Sequence, residues 1–117
     1  MMEINVKNRI LSSENRIILI SDNADYKIKF KCDEEWVGKI KTVRFISKNL
    51  YKDMLLNANN ESEIPLEVLE PGTLKIGLFS AEYSTSELTV NVIPSIRAIM
   101  AKQIGRASCR ERVSPRV

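Results

Sequence analysis

Between Tyr26 and Cys32 the chain alternates without a break. Tyr26, Ile28, Phe30 and Cys32 are apolar or aromatic, and Lys27, Lys29 and Lys31 stand between them. A period of two sends one set toward a core and the other toward water, so this run predicts a half-buried strand. Upstream, Ile4 and Val6 alternate with Glu3, Asn5 and Lys7, and after polar residues 12–15 a more buried-looking run covers Arg16 to Ile20. These predict two strands and a turn. Downstream, Asp33, Glu34, Glu35, Trp36, Val37 and Gly38 break the pattern, and Ile40 to Ile46 resumes it with β-branched and aromatic residues. That is a corner between two strands. Leu50 to Leu56 predicts a further strand, residues 57–60 a polar turn, and Pro65 a short helical turn through Leu69. Pro71 and Gly72 suit a type I or II turn. Leu74, Ile76 and Leu78 then alternate with Lys75, Gly77 and Phe79, and Leu88, Val90 and Val92 with Thr89, Asn91 and Ile93, across a Ser/Thr-rich turn at 81–86. This predicts a final hairpin.

Seven or eight short strands with turn signals every eight to twelve residues or so point to an antiparallel, immunoglobulin-like β-sandwich over residues 1–94. Pro94 ends the last strand. Ser95 suits the cap of a helix in which Ile96, Ile99, Met100 and Gln103 fall near one face, the start of a linker over residues 95–103.

Length and charge add two constraints. A chain of 117 residues with 44% hydrophobic positions and no His is one ordinary domain. The lack of His removes the commonest general base, the Ser-His and Cys-His pairs and the commonest zinc ligand. The longest apolar run, Ile17 to Ile20, is far short of the roughly 20 residues that span a bilayer. The N-terminus carries neither a basic nor an apolar signal region, so synthesis and retention in cytoplasm are expected. Cys32 and Cys109 stand in unrelated contexts, and no disulfide is expected between them. Residues 104–117 hold Arg106, Arg110, Arg112 and Arg116 against Glu111, a net charge of +3, leaving 14 basic and 14 acidic groups in residues 1–103. From Ile104 to Val113 the peptide resembles the translation of a sequencing-library adapter, which makes 104–117 a cloning or assembly tail and not native sequence. The competing reading is an Arg-rich arm for nucleic acid or an anionic membrane. We expect no nucleic-acid partner and no membrane span.

Each candidate for chemistry has a plain structural reading beside it. Trp36 can stack on a sugar, but a single Trp at a strand corner more often plugs the core. Asp33, Glu34 and Glu35 invite a cation or a carboxylate pair; Ca²⁺ takes six to eight or so oxygen ligands, and acid-base work needs two carboxylates with separated pKa values in a cleft. A solvated turn is the expectation. Lys27, Lys29 and Lys31 form a basic stripe, read as a solvated face that discourages edge pairing. Cys32, in phase with Phe30, reads as a small buried residue. Gly72 and Gly77 make no phosphate loop and read as turn and packing glycines. Catalytic, cofactor and metal sites are therefore expected to be none, and the chain is not expected to be an enzyme.

Two segments carry a resemblance. Phe30, Lys31, Cys32, Asp33, Glu34, Glu35, Trp36, Val37, Gly38, then Lys41 to Phe45, resembles a recurrent segment of structural proteins from tailed phages of Gram-positive hosts, where an acidic-acidic-Trp-x-Gly corner joins two strands. The second runs from Ile64, Pro65, Leu66, Glu67, Val68 and Leu69 through Glu70, Pro71, Gly72 and Thr73 to Leu78, with Leu66 where the family has an aromatic residue. Over most of residues 2–97 the chain resembles the N-terminal sandwich of baseplate upper, tail and tail-fibre proteins. The resemblance implies a virion attachment module that docks to the tail or baseplate core, assembles with copies of itself, and carries C-terminal host-recognition regions. Those regions are expected to be missing, because the family pattern stops at Gln103. The alternative is a carbohydrate-binding sandwich without catalytic activity.

Overall fold

The alternating run becomes β4 (Lys27–Cys32), with Ile28 and Phe30 fully buried. The computed structural model describes residues 2–97, and among these it is all-β. Before β4 come β1 (Met2–Lys7), β2 (Ile10–Ser12) and β3 (Ile18–Ile20); after it come β5 (Thr42–Ile46), β6 (Tyr51–Leu55), β7 (Glu61–Glu63), β8 (Gly72–Phe79) and β9 (Leu88–Ile93). The order is β2-β1-β4-β7 in a four-stranded sheet and β3-β9-β8-β5-β6 in a five-stranded sheet. Two such sheets, each with one apolar face, bury those faces against each other as a sandwich. Ile4, Val6, Ile28 and Phe30 from the first meet one hydrophobic cluster with Val43, Phe45, Leu74, Ile76, Leu78, Val90 and Val92 from the second.

The all-β architecture is the expected one, and three details differ. Two pairings are parallel: β1 beside β4, with Ile4 opposite Phe30, and β3 beside β9, with Leu19 opposite Val92. Parallel neighbours need a long connection between them. Here β2, the crossover and β3 supply it for β1 and β4, and most of the chain supplies it for β3 and β9. Two strands were not expected, β2 and β7. Each has three residues at a sheet edge, too short to set a period. Last, Pro65 precedes its helical turn, a single 3-10 turn at Leu66–Val68, instead of occupying the first helical position.

Of the three segments that cross between the sheets after β4, two carry fully buried apolar side chains into the core. The first is the acidic corner, whose 3-10 turn at Glu34–Trp36 drives Trp36 to complete burial between the sheets. Gly38, at φ +76°, then redirects the chain toward β5, a backbone region that costs other residues more. The second is Leu66–Val68, which seats Val68 and Leu69 in the same core. At the other end of the sandwich, the Ser95 amide donates to Ser21 Oγ and the Ser95 hydroxyl to Asp22 Oδ2, fastening the end of β9 to the end of β3. The chain turns helical at Ile96 and Arg97. The remainder of the expected linker helix, Ile99, Met100 and Gln103, lies outside the described residues, as do the Arg-rich tail and Cys109. No helix among the described residues is long and apolar enough to cross a membrane.

Candidate functional site

The acidic corner is built against a hairpin. Between β1 and β2 the chain reverses through Asn8 and Arg9, both with positive φ (52° and 63°), the pairing that a tight two-residue hairpin requires. Asp33 holds this turn twice: its amide donates to the Val6 carbonyl at 3.2 Å, and its Oδ2 accepts from the Asn8 amide at 3.0 Å. Glu35 takes the Arg9 guanidinium through both carboxylate oxygens, and that hydrogen bonding raises the Arg9 pKa. The same guanidinium lies 4.2 Å from the ring centre of Tyr83, which packs edge-on against Trp36 at 5.7 Å. Lys39 Nζ lies 5.0 Å from the same ring centre and pairs with Glu82. Asp33 and Glu35 are thus structural clamps, where the sequence pointed to a solvated turn; only Glu34 is fully exposed. Trp36 is the core plug. Its indole Nε1 and Asp33 Oδ1 are buried without a hydrogen-bond partner among the described residues.

The stripe of lysines stands among acids on the outer face of the four-stranded sheet. Lys27 stands opposite Glu63 and Lys29 opposite Glu61 on β7, while on β1 Glu3 stands opposite Lys29 and pairs with Lys31 at 3.0 Å. That pairing lowers the Glu3 pKa and raises that of Lys31. The face is a mosaic of alternating charge. Cys32 is half-buried, and burial pushes its thiol pKa up, against a reactive role. No group of three or more His, Cys, Asp or Glu side chains able to hold a metal occurs among the described residues. Gly72 and Gly77 lie at the start and in the middle of β8.

The outer face of the five-stranded sheet has a different chemistry. Three cross-strand rows run over β6, β5 and β8: Leu55, Thr42 and Phe79; Asp53, Arg44 and Gly77; Tyr51, Ile46 and Lys75. Leu55 and Tyr51 are 68% and 60% exposed and Ile46 39%, large apolar groups on one surface. At its centre, Arg44 makes a two-pronged ion pair with Asp53, at 2.7 and 2.9 Å. The register explains the closeness. Ser47 to Leu50 and Leu56 to Lys41 are hydrogen-bonded at the two ends of the β5–β6 ladder. Alternation between them makes Arg44 and Asp53 a pair without mutual main-chain bonds, the kind whose side chains approach most closely. The same alternation turns the main-chain groups of Tyr51, Asp53 and Leu55 to the open edge of β6.

The Arg44 guanidinium also lies 4.7 Å from the Tyr51 ring centre and 5.2 Å from that of Phe79, so an aromatic ring flanks it on two sides. The hydrogen bonds to Asp53 raise the Arg44 pKa and lower that of Asp53. Beyond Phe79, a shallow groove bounded by Lys39, Ile40, Ala81 and Glu82 extends the apolar strip, with Ile40 79% exposed. An Arg held flat among Tyr, Phe and aliphatic side chains is the composition of an interface centre, not of a catalytic cleft. None of these residues was singled out from the sequence. The signal was present in the alternation of Tyr51, Asp53 and Leu55 against Lys52 and Met54, but on the inner face Lys52 is exposed and only Met54 is partly buried, so the run carries a weak core signature. Comparison of the chain with protein-family models, with curated proteins and with solved structures finds no match.

Proposed function

We propose that the chain is a structural module of a tailed-phage or prophage virion, an N-terminal sandwich that docks to tail or baseplate proteins and positions C-terminal host-recognition regions. The observation that carries this reading is where the two resembling segments fall in the fold. Residues 30–45 contain the β4–β5 crossover between the sheets, with the Trp36 plug, and residues 64–78 contain the β7–β8 crossover, with Val68 and Leu69. Segments that set the scaffold are the ones a shared architecture needs, and they leave an outer face free for partners. Complete burial of Trp36 also withdraws it from sugar stacking, which favours protein docking over the carbohydrate-binding alternative. In this reading the protein is made in the bacterial cytoplasm, oligomerises in its longer form and resides in the virion tail.

An antibody raised against residues 2–97 tests it by immunogold electron microscopy of phage particles induced from the source bacterium. Gold at the distal tail or baseplate is the expected result. Intact tailed particles that carry no label, in a culture where the chain is expressed, overturn the proposal.

A further inference from the structure

We propose that the outer face of the five-stranded sheet, centred on Arg44 and Asp53, is a self-association surface that receives the same face of a second copy of this chain about a two-fold axis. The inference deepens the assembly role proposed above by naming the surface that carries it. A two-fold contact requires a self-complementary patch. This patch has one positive and one negative group side by side at its centre, Arg44 and Asp53, inside a frame of Tyr51, Ile46, Leu55 and Phe79. Rotation by a half-turn lays each Arg44 against the other copy's Asp53, so four charges alternate in sign and each copy's polar centre meets its complement. A strongly acidic or basic partner finds no net charge there to recognise, because the two groups cancel.

The relief of the face also suits close apposition. Arg44 is opposite Gly77 in the register, and a Cβ built on Gly77 would meet nothing within 4 Å. The guanidinium, set between the Tyr51 and Phe79 rings, therefore lies beside a low point of the sheet at Gly77. The other outer face, with its Lys27–Glu63 and Lys29–Glu61 oppositions, has its charges spread over three strands and no apolar centre. Size sets the strength. The patch extends about 14 Å along the strands and about 10 Å across them at ordinary strand spacing. With side-chain overhang this stays below about 1,200 Å² buried in total, the class of weak, reversible contacts. Self-association of the isolated chain is thus expected to be weak and reversible.

Sedimentation velocity on the full chain, from about 10 μM to about 1 mM, reads this directly. The wild type is expected to shift from monomer to dimer over that range. Arg44→Glu and Asp53→Arg are each expected to weaken self-association by about tenfold or more, since like charges then meet at the centre. An equimolar mixture of the two variants is expected to associate more tightly than the wild type, in a salt-sensitive way, because one copy now carries two acids and the other two bases. Circular dichroism checks that both variants fold. Should either fail to fold, Tyr51→Ser combined with Leu55→Ser removes the apolar rim and is expected to give the same loss. A wild type that stays monomeric at 1 mM overturns the proposal. So does a mixture of folded variants that stays monomeric, or self-association that the substitutions leave unchanged. A monomeric result leaves gold labelling of tails unaffected, and unlabelled particles leave the dimer unaffected, so this inference and the virion reading fail separately.

Discussion

Replacing Trp36 in two steps separates what its ring fills from what its N–H costs. The side chain is fully buried between the sheets, and its Nε1 lacks a partner among the described residues. Trp36→Ala empties the plug, and a truncation of that kind costs about 3–5 kcal/mol. In a domain of this size each kcal/mol moves the melting temperature by about 4–8 °C, so a loss of at least about 12 °C is expected. Trp36→Phe keeps a ring. The indole exceeds the phenyl by roughly 40 Å³, and at about 24 cal/mol per Å³ the residual cavity costs about 1 kcal/mol. Against that, removing an unpaired buried donor recovers about 1–3 kcal/mol. The two nearly cancel, and Trp36→Phe is expected to fall within about 1–2 kcal/mol of the wild type, in either direction. Urea denaturation followed by far-ultraviolet circular dichroism measures all three proteins on one scale, without relying on the fluorescence of the single Trp. Equal losses for Ala and Phe would refute the assignment of Trp36 as a plug with an unsatisfied N–H, as would a cost below about 1 kcal/mol for Trp36→Ala.

Three further outcomes follow from the corner and the sheet face. Asp33→Ala removes the acceptor of the Asn8 amide and is expected to destabilise by about 1–2 kcal/mol, with faster amide hydrogen exchange confined to the β1–β2 turn. Gly38→Ala places a Cβ on a backbone at φ +76° and is expected to cost about 1–2 kcal/mol, whereas Gly77→Ala, with open space and ordinary φ, is expected to be neutral or stabilising in the same melts. The hydrogen bond from Arg44 lowers the Asp53 pKa below its ordinary 3.8. The folded state then binds that proton less readily than the unfolded chain, so the pair's stabilisation is complete above about pH 5 and is lost as pH falls through the depressed value. Both side chains are over a third exposed, so the effect is within the about 0.2–1 kcal/mol of a surface pair. Melting curves from pH 6 to pH 2 are expected to converge for wild type and Asp53→Asn at the acid end.

The sequence discloses faces more readily than neighbours. Alternation from Tyr26 to Cys32 states which side chains point inward, and the structure buries Ile28 and Phe30 accordingly; it does not state that β1 lies alongside in parallel. Pairing is decided by groups far along the chain. Glu61 and Glu63 lie in a strand because their main chain pairs with that of Lys29 and Lys27 at the edge of an existing sheet, a stabilisation that no local propensity records. The corner was legible as a corner and Trp36 as its plug. The roles of Asp33 and Glu35 were not, since they depend on a hairpin turn 25 residues away in the chain. The outer face of the five-stranded sheet was hidden for a similar reason. Arg44 and Asp53 become partners only through the β5–β6 register, and a reading of each strand alone sees two ordinary surface charges.

The fastening of Ser21 and Asp22 to Ser95 has a consequence for how the protein is made. These contacts span 74 and 73 positions, and among the described residues β3 finds its neighbour only in β9. At about 5–20 residues per second, a ribosome leaves β3 without its partner for about 4–15 s. The five-stranded sheet is complete only when the last strand has emerged. The unpaired main chain of β3, and Leu19, which the finished fold buries, are available to other chains during that interval. Nascent chains therefore meet their greatest risk of clumping before release, and a transcript broken upstream of β9 yields a product that ends in that exposed state.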